Sequence, residues 1–324
     1  MDEGDHPPPP GPPPLLSKDQ LLHLARQGWL CLALPESLSQ SIADVFRRSS
    51  SFFDQSTDEK SQCYPAKLGT EFGYYQVPGE KEYITFRCHV HTSSMTSTAS
   101  AAPASAVALE SSAGHAWREA AIFLYRILCD IARASNLSLS IWDDVLDGTL
   151  TMPETEEQVM YTLMRLFRYL PTTGVAEEHT DLGLLTLCVG DGAGLQVLKR
   201  ARSPGEQRAW IEGGVGTANA TVLVGQTLKA LSNGLIVAGA HRVVGNPNGR
   251  NSVVFALRHS TRHEVDFGQF GGEGRVTPQD LWQTVQAGKV NINTSKERRD
   301  RQRAKMAAAK GEAENREELR MGQG

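Results

Sequence analysis

His179-Thr180-Asp181 stands just ahead of the apolar run 182–188. In extended chain, side chains two residues apart project to the same face, so this imidazole and this carboxylate can meet one ion. A second imidazole, His241, ends the run 235–240. Arg250-Asn251-Ser252 follows, its polar pair again two apart, and leads the apolar residues 253–256. Two imidazoles and one carboxylate on one face form the facial triad of non-haem Fe(II) oxygenases, which leaves coordination positions open for a co-substrate and O2. Arg250 can grip a carboxylate through two parallel N–H bonds, a geometry Lys does not reproduce, and Ser252 adds a hydroxyl. An isolated His-x-Asp is common by chance, and a lone buried His is more often core than ligand. The joint pattern, with each part on a β-like run, points to a metal site beside an acidic co-substrate.

The residues around these positions carry a resemblance. His179-Thr180-Asp181-Leu182-Gly183-Leu184-Leu185-Thr186-Leu187, then Asp191 and Gly194-Leu195-Gln196-Val197, resemble the core motif of the isopenicillin N synthase-like branch of the Fe(II)/2-oxoglutarate-dependent dioxygenases. Leu231-Ser232-Asn233-Gly234, His241-Arg242-Val243-Val244 and Arg250-Asn251-Ser252 form a second similar block, and Gly73-Tyr74-Tyr75 with Glu80-Lys81-Glu82-Tyr83 resemble the family's N-terminal region. The resemblance spans residues 17 to 295. It implies a mainly β fold, a double-stranded β-helix (jelly roll) core with flanking helices. It further implies His179, Asp181 and His241 as ligands of Fe(II), and Arg250 and Ser252 as holders of the C5 carboxylate of 2-oxoglutarate. Tyr169 sits where the family's 2-oxoglutarate-binding tyrosine is expected. The chain departs from the family at Phe167, where many relatives carry Asn, so the polar network around the co-substrate should differ.

Other polar clusters rank lower. His89-Val90-His91 has metal-ligand spacing, but no Glu follows at the short distance a cupin site needs. His259 and His263 are expected on the surface beyond the last core strand, and Glu177 and Glu178 as charges on the rim. Tyr74, Tyr75, Tyr83, Phe86, Arg87, Phe267 and Phe270 are candidate liners of a substrate pocket, each with a scaffold role as the alternative.

The elements that must position these groups follow from local pattern. Ser17-Lys18-Asp19-Gln20 spells a capping box that opens a helix, with Gly28 as its stop. A short strand over 29–34 and a helix with Leu38, Ile42, Val45, Phe46 and Phe53 on one face come next. Residues 115–134 make the longest helix candidate and should back a sheet. From 159 on, short apolar runs alternate with turn residues: 159–169, 182–188, 194–198, 209–212, 221–224, 234–238 and 252–258. That texture predicts an antiparallel sandwich or barrel. Thr277-Pro278 opens a last helix. The domain plan is a disordered Pro-rich tail over 1–16, a mixed region over 17–158 with a flexible Ser/Thr/Ala insertion at 92–113, the oxygenase core with its last helix over 159–294, and a charged, solvated tail over 295–324.

The chain has 324 residues, with 33 Lys+Arg against 37 Asp+Glu, a net charge of −4. That balance argues against a chain-wide nucleic-acid-binding face, and no apolar run is long enough to span a bilayer. Five scattered cysteines fit neither a disulfide framework nor a Cys-based zinc site, and suit a reducing compartment. The tail carries nine basic and six acidic residues, a weak signal for nuclear import. The expected protein is a cytoplasmic monomer that uses Fe(II), 2-oxoglutarate and O2 to hydroxylate or desaturate a small organic molecule, releasing succinate and CO2. An iron oxidase of the same fold that needs no 2-oxoglutarate, and a non-catalytic binding protein, are the alternatives.

Overall fold

The computed structural model describes residues 11–67, 71–92, 103–201 and 205–321, side chains beyond 308 excepted. Helix α1 (Lys18–Gln27) begins at the capping box of Ser17 and Gln20 and ends on Gly28 at φ 79°. Strand β1 (Trp29–Ala33) leads to α2 (Glu36–Phe53) and α3 (Thr57–Cys63). Strands β2 (Gly73–Val77) and β3 (Lys81–Phe86) form a hairpin, followed by the long α4 (Ala104–Ala134) and the short α5 (Ile141–Leu146). The β-rich region supplies β4 (Leu163–Tyr169), β5 (Ala176–His179), β6 (Leu185–Gly190), β7 (Leu195–Lys199), β8 (Ala209–Glu212) and β9 (Asn219–Val224). Then come α6 (Gln226–Leu231), β10 (His241–Val243), β11 (Arg250–Leu257), the small β12–β13 hairpin (Val265–Asp266 and Arg275–Val276), α7 (Pro278–Gln286) and α8 (Lys296–Met321).

Two antiparallel sheets build the barrel: a seven-stranded one in the order β1-β9-β6-β11-β4-β3-β2, and a four-stranded one in the order β5-β10-β7-β8. Strand alternation divides the large sheet's side chains between two cores. Tyr74, Ile84, Leu166, Val189 and Val253 face the helices and join one continuous core with α2 and α4. Val77, Tyr83, Phe167, Tyr169 and Cys188 face inward and meet Val197 and Val243 of the smaller sheet. This is the expected jelly roll, with α4 as the backing helix; its Trp117 ring meets Phe255 edge-on at 5.2 Å.

Several expectations change. Residues 104–113, expected inside a flexible insertion, are the first turns of α4, with Ala106, Leu109 and Ala113 fully buried; 93–102 lie outside the described residues. Small side chains there let α4 pack closely on α2, a use that composition alone hides. Residues 11–16 of the Pro-rich segment are docked, because Asp130 accepts the Leu15 and Leu16 N–H groups at 2.8 Å each. The run 234–238 is loop, and the strand begins only at His241. The tail is helical over 296–321, in line with a partly helical tail, but the start of that helix packs on the barrel instead of standing free in solvent.

His259 is fully buried, not on the surface. Its Nε2 contacts Pro278 O at 3.1 Å and its ring meets Tyr161. Burial pushes its pKa down from 6.5 to about 4. Between those values an unfolded chain binds a proton that the fold refuses, so this group's contribution to stability is complete above pH 6.5 and falls as pH drops toward 4. His259→Gln should flatten the decline of melting temperature between about pH 6.5 and pH 4.5 relative to wild type, measured by thermal denaturation across that range.

Candidate active site

His179 ends β5 and His241 starts β10, and antiparallel pairing sets the two directly opposite each other, ring centroids 4.0 Å apart. Each ring is fixed from behind. His179 Nδ1 lies 2.7 Å from Glu177 O and His241 Nδ1 lies 3.1 Å from Gly239 O. A carbonyl only accepts, so each Nδ1 carries the proton and each Nε2 turns its lone pair to the centre. Asp181 stands between them, its Oδ1 3.8 Å from His179 Nε2 and its Oδ2 3.9 Å from His241 Nε2.

Asp181 lies in a loop whose backbone is pinned to α6. Gln226 N–H donates to Asp181 O at 2.8 Å, and Thr227 donates through N–H and Oγ1 to Leu182 O at 3.1 and 2.7 Å. Gly183 and Gly225 permit this approach, since a Cβ at Gly225 would overlap Gly183 O. Burial works against the Asp181 carboxylate, but His241 and His179 outweigh it and hold its pKa below the usual value. Burial, then the neighbouring His241, keeps His179 neutral, its pKa well below 6.5.

The three ligand atoms lie within 4.8 Å of one another, the spacing of a metal's coordination shell. Asp181 Oδ2 is buried with no hydrogen-bond partner among the described residues, a costly state unless a cation completes it. Two imidazoles and a carboxylate are also the donor set that suits Fe(II) with open positions. The residues therefore fit the iron that the sequence suggested.

Arg250 and Ser252 lie on β11 and Tyr169 on the adjacent β4, where Tyr169 pairs with Arg250 and Phe167 with Ser252. Arg250 is buried; its guanidinium lies 5.9 Å from the Tyr169 ring centroid and Nε donates to Gly192 O at 3.1 Å. Ser252 Oγ is buried with no hydrogen bond among the described residues. Burial raises the Tyr169 phenol's pKa, so it remains a neutral hydroxyl. Phe167, standing where Asn was expected, stacks on Tyr169 at 5.2 Å.

All six residues line one cavity of about 740 Å³. Tyr75, Tyr83 and Phe167 line it too, whereas Tyr74 and Phe86 belong to the helix-side core and Phe270 packs on Trp142. His89 and His91 are engaged elsewhere, with Thr92 and with Cys63 O.

Three contributions were not foreseen. Gly190 makes room for Arg250, because a Cβ there would overlap its guanidinium. Lys289 reaches Thr180 Oγ1 at 2.6 Å, between two of the candidate ligands. The tail is part of the mouth: Lys81 Nζ and Tyr83 Oη donate to Ile292 O and Asn293 O at 3.4 and 2.9 Å. Arg299, its side chain only 4% exposed, bridges Glu80 and Glu177 at 3.1 and 2.9 Å. No sequence pattern marks these contacts, since each joins segments far apart in the chain.

The family model of the 2OG-Fe(II) oxygenase superfamily matches residues 161–259. These residues belong to that superfamily. The match does not single out the isopenicillin N synthase-like branch. The 2-oxoglutarate-dependent dioxygenase ecdG of Aspergillus rugulosus is 30% identical over 126 residues, so the match spans about a third of that relative, 36% of each chain. A full-length Neurospora crassa protein solved in complex with alpha-KG superposes with a TM-score of 0.65 at 18% identity, covering 84% of this chain and 90% of that one. The same Neurospora protein is also known in complex with alpha-KG and thymine. A 2OG-Fe(II) oxygenase family protein from Caulobacter crescentus superposes with a TM-score of 0.65 at 20% identity, covering 82% of this chain and 91% of that one. These likenesses cover the helical regions as well as the matched oxygenase segment and establish a shared jelly-roll fold.

Arg299→Ala leaves Glu80 and Glu177 without their shared partner. It should raise amide hydrogen exchange at least about 10-fold across 289–303 while protection in β4, β6 and β11 stays as in wild type. Exchange followed by mass spectrometry reads both.

Proposed function

We propose that this chain is an Fe(II)- and 2-oxoglutarate-dependent dioxygenase that hydroxylates or desaturates a small organic molecule. In the hydroxylation, substrate, 2-oxoglutarate and O2 become hydroxylated substrate, succinate and CO2. His179, Asp181 and His241 hold the metal. Fe(II), when bound, supplies the electrons that activate dioxygen and positions the 2-oxo acid beside it. Arg250 and Ser252 take the far carboxylate of 2-oxoglutarate through charge-assisted hydrogen bonds. Tyr169 donates its neutral hydroxyl beside them.

The observation that carries this reading is a pair of unsatisfied buried groups in one cavity. Asp181 Oδ2 and, near Arg250, Ser252 Oγ are buried with no hydrogen-bond partner among the described residues. A divalent metal and a dicarboxylate satisfy both together. The inward wall of Phe167, Val243 and Leu195 excludes water around them. A cavity of about 740 Å³ suits a co-substrate plus a small molecule, and the chain's negative net charge gives no general attraction to nucleic acid. The Neurospora crassa protein that shares the fold binds alpha-KG with thymine, a pairing of that size.

Anaerobic titration of the Fe(II)-loaded chain with 2-oxoglutarate, followed by admission of air, tests the reading. Saturable binding and succinate release are expected. Removing one partner of a buried charged contact costs about 2–5 kcal/mol, so Arg250→Ala should raise the Kd for 2-oxoglutarate at least about 30-fold. Gly190→Ala should weaken binding in the same direction by crowding the guanidinium. Absence of 2-oxoglutarate binding to the wild-type chain would overturn the assignment.

A further inference from the structure

The cavity carries more positive charge than a co-substrate needs. Its walls hold six cationic side chains against three carboxylates, Glu71, Glu178 and Asp181. Arg250 serves the co-substrate end, and Arg303 is paired with Glu177 and Asp300. Arg165, Arg258, Lys289 and Arg298 remain.

Two of these are built into the barrel. Arg165 faces inward from β4, on the same side as Phe167 and Tyr169 and paired with Val254. Four residues along a strand put it about 13 Å from the Tyr169–Arg250 row. Its Nε donates to Thr85 Oγ1 at 2.8 Å, and its guanidinium lies 5.2 Å from the Tyr83 ring centroid. Arg258 follows β11, and its stem passes Gly183, where a Cβ would come within 2.9 Å of its Cγ. Arg258 is 7% exposed; Nη1 donates to Tyr161 O and to Glu71 at 3.2 Å each. Its Nε is buried and has no hydrogen-bond partner among the described residues. Both guanidinia share the single carboxylate of Glu71. That residue sits at φ 59°, in the left-handed region. Burial works to raise the Glu71 pKa, but Arg258 and Arg165 hold it at about 2, so it is ionised. One carboxylate between two guanidinia leaves net positive charge at the cavity wall.

We propose that Arg165 and Arg258 form the recognition site for a carboxylate on the primary substrate, whose flat apolar body lies along Tyr75, Tyr83 and Phe167. The inference rests on the oxygenase reading, because it sets the substrate between this anion site and the metal. A carboxylate offers two oxygens to the fork of N–H donors, whereas a neutral group leaves a buried guanidinium incompletely paired. Tyr75 and Tyr83 stack at 5.2 Å and 14°, which makes a flat apolar face beside the site. Glu71 competes for the same donors and marks the place from within. Lys289 and Arg298, at the C-terminal wall, add attraction at longer range.

The test uses matched probes, 3-phenylpropanoate and 2-naphthylacetate, each against its primary amide. They are titrated calorimetrically and anaerobically into the full chain loaded with Fe(II) and 2-oxoglutarate. At least one acid should bind about 10-fold or more tightly than its amide, the worth of one charge-assisted pair. Arg258→Gln and Arg165→Gln should abolish that preference, leaving amide binding as it was. Glu71→Gln removes the competitor and should tighten the acid further, whereas a scaffolding role for Glu71 would weaken it. Equal binding of acid and amide, binding of neither, or weaker acid binding in Glu71→Gln overturns the proposal. Repeating the titration without iron and 2-oxoglutarate reads the anion site by itself, so failure of co-substrate binding is separable from failure of this inference.

Discussion

A carboxylate oxygen shut away from solvent without a hydrogen bond carries a desolvation cost that only a cation or a proton can offset. Asp181 Oδ2 is in that state. The loop that carries it is tied by backbone hydrogen bonds to α6. The flanking imidazoles have their outward nitrogens committed to backbone carbonyls and turn acceptors inward. The spacing of the three donors suits a metal ion.

Sheet register then orders everything else along the cavity. The pairs Lys81–Tyr169–Arg250 form one inward row, Tyr83–Phe167–Ser252 the next, and Thr85–Arg165–Val254 the third. Rows lie about 7 Å apart, so the Tyr169–Arg250, Phe167–Ser252 and Arg165 positions follow one another as consecutive steps on the same strands. A slip of one residue in β4 against β11 would turn Tyr169 and Arg165 outward together. Such a slip would also displace Leu166 and Met164, which fill the helix-side core. The site's geometry is thus guarded by the same hydrophobic segregation that folds the barrel.

The spacing of Arg250 with Ser252 was legible in the sequence because period-two alternation is a local rule and both lie on β11. The same rule does not account for His179 with Asp181, since β5 ends at His179 and Asp181 lies in the loop that α6 pins. The α1 capping box and the Thr277-Pro278 opening of α7 were legible for the same reason, since each is complete within about four residues. His259 was not, because its burial depends on α7 folding back to present Pro278. Nor was the start of α4, where Ser and Ala look like linker until α2 packs against them. The docked tail was hidden most deeply. Its seven basic residues between 296 and 310 look solvated in isolation, and only the position of Glu80 and Glu177 at the barrel mouth turns Arg299 into an interior residue.

That docking changes how the active site must be understood. A barrel needs one open end for substrate, and an open end exposes the apolar inner wall. Here residues 289–303 cover that end with backbone carbonyls held by Lys81 and Tyr83 and with a guanidinium clasped by two carboxylates. Removing a partner from an ion pair as buried as that of Arg299 is costly, so the cover is held firmly in place. The inner sheet supplies fixed geometry, and the cover closes the mouth. The division follows from where the interactions lie: hydrophobic and register-bound around the triad, polar across the mouth.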